Sequence, residues 1–84
     1  MDVVRRRRGA AAPGVVVIRV ERGKIADRGG IQEGDIITAI GGQAVTNPRQ
    51  FNELVPKLDF KKGVIVNFIR QGAAGFEVLK DGGD

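Results

Sequence analysis

Gly29-Gly30-Ile31-Gln32-Glu33-Gly34-Asp35-Ile36-Ile37-Thr38-Ala39-Ile40-Gly41-Gly42-Gln43-Ala44-Val45 decides how this chain folds, because two glycine-bounded turns enclose one apolar strand. Gly30 and Gly34 bracket a tight entry where the backbone needs positive φ, and Gly41-Gly42 suits a two-residue hairpin of the primed type. Ile36 to Ile40 is then a short buried strand, and Gln43-Ala44-Val45 is its brief return.

Upstream, Val15 to Val20 is β-branched at nearly every position, too stiff at χ1 to favour a helix, and predicts a strand. Glu21-Arg22-Gly23 turns the chain. Lys24 to Arg28 allows about one helical turn, stopped by the left-handed-cap pattern of Gly29-Gly30, with Ile25, Ala26 and Ile31 as its buried contacts. Downstream, Asn47 caps a second helix, Pro48 takes the first helical position, and Gln50 sits three residues after the cap like the far half of a capping box. Phe51, Leu54, Val55 and Leu58 follow as one apolar stripe. Pro56 interrupts it, removing a backbone hydrogen bond at a cost of roughly 3 kcal/mol, so the helix is expected to kink or loosen near its end.

Val64 to Arg70 is a further strand with Val64, Val66 and Phe68 on one face and Ile65, Asn67 and Ile69 on the other. Gln71-Gly72-Ala73-Ala74-Gly75 is expected to be a hairpin loop, returning Phe76 to Lys80 as the closing strand. The predicted order is strand, short helix, strand, strand, helix, strand, strand: an α+β fold in which antiparallel strands curl around two helices. Val17, Ile37, Ile40, Leu54 and Phe68 should be among the most buried side chains.

Two ends flank this body. Residues 1–13 hold four consecutive arginines, Arg5 to Arg8, and a Gly/Ala/Pro run with little to bury, giving either a basic flexible leader or part of a strand. The domain is expected over residues 14–80, and residues 81–84 form a polar tail. The formal net charge of +4 equals the contribution of those four arginines, so the remainder is neutral and offers no basic binding face. At 84 residues the chain bounds one domain, burying only about 60 to 65 per cent of its unfolded surface. No apolar run approaches the ~20 residues of a membrane span.

Composition also excludes chemistries. The chain has no His, Cys, Ser, Tyr or Trp, so neither a Ser-His-Asp triad, a Cys-His pair nor a thiolate or imidazole metal site can be assembled from it. Thr38 and Thr46 are the only side-chain hydroxyls, and neither has a histidine to activate it. The carboxylates do not alternate along any loop as a Ca²⁺ or Mg²⁺ site requires. An enzyme, a metal and a cofactor are not expected.

Gly14-Val-Val-Val-Ile-Arg-Val, Ile25-Ala26, Gly34-Asp35-Ile-Ile and the Gly41-Gly42 turn together resemble PDZ domains, in particular the bacterial, protease-associated kind of the HtrA (Deg) family, from about Gly14 to Lys80. The resemblance implies a small, partly open antiparallel barrel or sandwich with two helices and permuted strand order, Phe76 to Leu79 taking the place of the strand that opens many eukaryotic PDZ domains. It implies a non-catalytic module that binds extended peptides or protein C termini as an added strand between a sheet edge and the second helix. Carried over by position, the peptide-binding residues are Phe51 and Val55, with Leu58 as a third, and Val3 and Val4 on the ligand strand; Leu54 would face the core. The family also holds the peptide carboxylate on a loop of alternating Gly and hydrophobic residues. Only Val3-Val4 precede the arginines here, as expected for a chain beginning inside the ligand strand, for an incomplete groove, or for recognition not directed at a carboxylate.

The resemblance implies a regulatory or substrate-recognition part of an HtrA-like serine protease, with the catalytic domain of that protease as a partner and the periplasm or cell envelope as its place. An intramembrane or tail-processing protease, or a secretion component, is the alternative parent. A rival of another class is a basic nucleic-acid or membrane-surface adaptor acting through Arg5 to Arg8. Phe51, Val55 and Leu58 could equally be core residues.

Overall fold

The computed structural model describes residues 1–6 and 14–81. Among the described residues six strands form a single antiparallel sheet: β1 (Asp2–Arg5), β2 (Val15–Arg19), β3 (Ile36–Ile40), β4 (Gln43–Ala44), β5 (Val64–Arg70) and β6 (Ala73–Leu79). Their spatial order is β1-β2-β3-β5-β6, with β4 pairing β3 alongside. Helix α1 (Ile25–Arg28) connects β2 to β3, and helix α2 (Pro48–Leu54) precedes two 3₁₀ turns, Val55–Lys57 and Phe60–Lys62.

The glycine punctuation works as the sequence requires. Gly41 and Gly42 both take positive φ, 60° and 80°, which makes the β3–β4 turn a primed hairpin. At the end of α1 the Ile31 N–H donates to the Ala26 carbonyl and the Gly30 N–H to the Asp27 carbonyl, with Gly30 at φ 92°. That is the Schellman pattern, and only glycine adopts its left-handed position without strain. Asn47 accepts from the Gln50 N–H at 2.8 Å, while the Gln50 side chain reaches back past Asn47 to the Thr46 N–H at 2.7 Å, widening the expected box by one residue.

Val15, Val17, Ile37, Ile40, Val66 and Phe68 are buried between the sheet and its helices, as strand periodicity demands. Two expectations need correction. Leu54 is only half-buried, and Phe51 is the α2 side chain in the core at 2% exposure. Pro56 ends α2 after two turns and tightens Val55–Lys57 into a 3₁₀ turn, so the stripe centres on the Phe51 ring, with Leu54, Val55 and Leu58 only partly buried against the core. The last hairpin turn is only Gln71-Gly72, at φ 51° and 82°, and β6 begins at Ala73 because Arg70 already pairs with Ala73. Gly75 then sits under the Phe68 ring, where a Cβ would lie 3.2 Å from it. Asp2–Arg5 pair with β2 as a strand of the sheet, the strand alternative of the two expected for residues 1–13. Residues 7–13 of the expected leader and 82–84 of the tail lie outside the described residues.

Candidate functional site

The site follows from which backbone groups of β1 are already used. Val3 opposes Val17, Val4 opposes Val16 and Arg5 opposes Val15, and the Arg6 N–H donates to the carbonyl of its opposite residue, Gly14, at 3.3 Å. Opposed antiparallel pairs alternate between hydrogen-bonded and non-hydrogen-bonded. Arg6–Gly14 and Val4–Val16 are therefore the bonded pairs, and the N–H and C=O groups of Val3 and Arg5 point away from β2. The far strand agrees: Val17 spends its N–H on the Asp35 carbonyl at 2.8 Å and its carbonyl on the Gly34 N–H at 2.7 Å, both on the β3 side. Among the described strands β1 pairs with β2 alone, so Val3 and Arg5 offer their main-chain groups on an open sheet edge.

α2 packs beside β1. Between the β1 end, α2 and α1 lies a small cavity of about 120 Å³, walled by Met1, Ile25, Ala26, Phe51, Val55 and Leu79 and rimmed by Glu21 and Lys24. It has room for one aliphatic side chain and shows it mostly carbon. Phe51 and Val55 stand one helical turn apart and both face it, Phe51 as its closed floor and Val55 as a half-buried wall.

Of the sequence-derived site residues, Phe51 and Val55 come together at this cavity, joined by Met1. Val3 is half-buried and packs against the core from β1, whereas Val4, 40% exposed, points to the opposite face of the sheet. Leu58 lies over the β3–β4 turn, its Cδ2 2.7 Å from where a Cβ on Gly41 would be, and does not line the cavity. Of the arginine run, Arg5 lies exposed at the end of β1, and Arg7 and Arg8 lie outside the described residues.

Sequence reasoning gave no role to the pair that fixes the loop ahead of β3. Asp35 is 1% exposed, and Arg70 at the end of β5 grips its carboxylate with two parallel bonds, Nε to Oδ1 and Nη2 to Oδ2, each 2.7 Å. Nη2 also donates to the Gly30 carbonyl at 2.9 Å, the Gln32 N–H donates to Asp35 Oδ2 at 2.9 Å, and the guanidinium lies 4.7 Å over the Phe68 ring. Burial alone would push the Asp35 carboxyl up. The Arg70 hydrogen bonds, the Gln32 amide and the guanidinium charge outweigh it and hold Asp35 below the usual carboxylate range. The Arg70 guanidinium is held correspondingly above its ordinary value, first by its bonds to Asp35. The clamp ties the α1–β3 loop to β5 and so sets where α1, one wall of the cavity, sits. The signal was present: alternation with Ile37 turns position 35 inward, and a buried carboxylate needs a cation.

Comparison with known proteins places this geometry. The family model of the PDZ domain matches residues 2–52. A probable periplasmic serine endoprotease, DegP-like, of Hahella chejuensis is 44% identical over 69 residues, covering 82% of this chain and 14% of the relative. Proteins of the same description from Halomonas elongata and Pseudomonas fluorescens are 36% and 37% identical over 67 residues, each match covering 80% of this chain and 14% of the relative. The chain thus spans about a seventh of the length of these relatives. Among solved structures, the HtrA3 PDZ domain bound to a phage-derived ligand, FGRWV, superposes with a TM-score of 0.71 at 24% identity, covering 81% of this chain and 62% of that one.

Proposed function

The chain belongs to the PDZ domain family, and from that premise we propose that it binds an extended peptide as an added strand on the open edge of β1, beside α2. The observation that carries this is the alternation along β1, which leaves the main-chain groups of Val3 and Arg5 unspent next to an apolar cavity. Main-chain pairing supplies sequence-independent affinity, each hydrogen bond contributing about 0.5 to 1.5 kcal/mol net. The cavity adds selectivity for one aliphatic side chain against Met1, Phe51 and Val55. The module carries out no chemistry of its own; it serves as the substrate-recognition or regulatory part of an HtrA-like serine protease of the cell envelope, in keeping with relatives described as periplasmic endoproteases.

Titration with a library of apolar C-terminal peptides tests the proposal. Val55→Glu puts a charge on the cavity wall and should weaken binding at least tenfold, with the fold intact because Val55 is only half-buried. Equal affinity in Val55→Glu, or binding that vanishes with salt and when Arg5 to Arg8 are all replaced by Gln, which keeps the β1 backbone in place, would remove the groove and favour an electrostatic adaptor.

A further inference from the structure

The sheet has a second open edge, at β6, and we propose that it pairs with β6 of a second copy of the chain, antiparallel, with Phe76 facing Phe76 across a two-fold axis. Among the described strands β6 pairs only with β5. The Gln71-Gly72 turn closes on Arg70–Ala73 as a two-residue hairpin, which makes that a bonded pair, and bonded pairs recur at every second residue. The Ile65 carbonyl, accepting from the Gly41 N–H at 2.9 Å, points to β3 and so confirms that Ile65–Val78 is a non-bonded pair. Ala74, Phe76 and Val78 consequently direct their main-chain groups outward.

Their side chains are exposed as well. Phe76 is 62% and Val78 51% exposed, and Ile65, opposite Val78 on β5, is 49% exposed. A long, apolar, uncovered edge is a template for another strand, and natural sheets ordinarily blunt one with charge, proline or a bulge. β6 carries none of these on its outward positions.

The occupant is a copy because the strand complements itself. Ala73-Ala74-Gly75 is the small half and Glu77-Val78-Leu79 the large half, and antiparallel pairing about Phe76 sets one against the other. Val78 meets Ala74, Leu79 meets Ala73, and Glu77 meets Gly75 of the second copy. Shifting the centre to Glu77 would oppose two like charges on one face. The large half also runs beside α1, along a trough of about 270 Å³ walled by Ile25, Arg28, Gly29, Val78 and Lys80. The pairing about Phe76 delivers the small residues Gly72 to Ala74 of the second copy to that trough. One seven-residue edge buries less than the roughly 1,200 to 2,000 Å² of stable complexes, so the dimer forms at high concentration.

Sedimentation equilibrium from about 10 µM to about 1 mM reads this directly, the average mass rising from one chain toward two. Concentration-dependent amide shifts should centre on Ala74, Phe76 and Val78. Ala74→Pro removes an outward N–H that the fold does not use, and Phe76→Lys places two cations face to face on an exposed surface; each should hold the protein monomeric throughout. If Ala74→Pro does not fold, Phe76→Lys carries the test. A single-chain mass at every concentration, a dimer that persists in Phe76→Lys, or shifts that map to β1 instead would overturn the proposal.

Discussion

Asp35 shows how much one residue can hold. Its carboxylate is out of water and satisfied entirely by Arg70 and the Gln32 amide. Asp35→Ala should cost about 3 kcal/mol, the cost of breaking a buried pair from one side, readable as a lower urea midpoint. The pH dependence has a definite sign. With its folded pKa lowered, Asp35 contributes stability that is complete above its unfolded value of about 3.9 and is lost as pH falls through the lowered folded value. The stability gap between the wild type and Asp35→Asn should therefore narrow on acidification through that range; a gap that stays constant would mean the clamp does not carry the acid sensitivity. The carboxylate's inward position was legible from alternation with Ile37, but its partner was not, because Arg70 lies 35 residues downstream and the meeting depends on the sheet.

At the scale of elements, glycine turns and strand alternation were the most legible, since both are local: positive φ at Gly41 and Gly42, and the buried row Val64, Val66 and Phe68, follow from neighbouring residues alone. The face of α2 was harder to read. A stripe of four apolar residues fits several helix rotations, and the choice between Phe51 and Leu54 was made by the sheet it packs on and by Pro56 stopping the helix early. Phe51→Ala should consequently cost about 3 to 5 kcal/mol, and Leu54→Ala distinctly less. Comparable melting temperatures for the two variants would contradict the observed face. β1 was left open between leader and strand, because its four residues form a strand only against β2. Its alternation gives a paired expectation: Val4→Pro removes an N–H used by Val16 and should destabilise the sheet, whereas Arg5→Pro removes an unused one and should leave thermal stability within a few degrees of wild type while impairing peptide binding.

For the molecule as a whole, the open sheet has α2 beside its β1 edge and α1 beside its β6 edge, and the two proposed strand additions rest on these two edges. The β1 edge has the cavity, and the β6 edge has exposed apolar side chains and a self-complementary sequence. The peptide-binding role rests on the first, and amide hydrogen exchange measured with and without a saturating apolar peptide tests it most directly. In the free protein Val4 and Arg6 should be protected and Val3 and Arg5 should exchange rapidly, because only the former pair donate to β2. On peptide binding Val3 and Arg5 should become protected in their turn, together with the walls of the cavity on α2. Protection that leaves Val3 and Arg5 unchanged while the peptide is bound would contradict strand addition at β1.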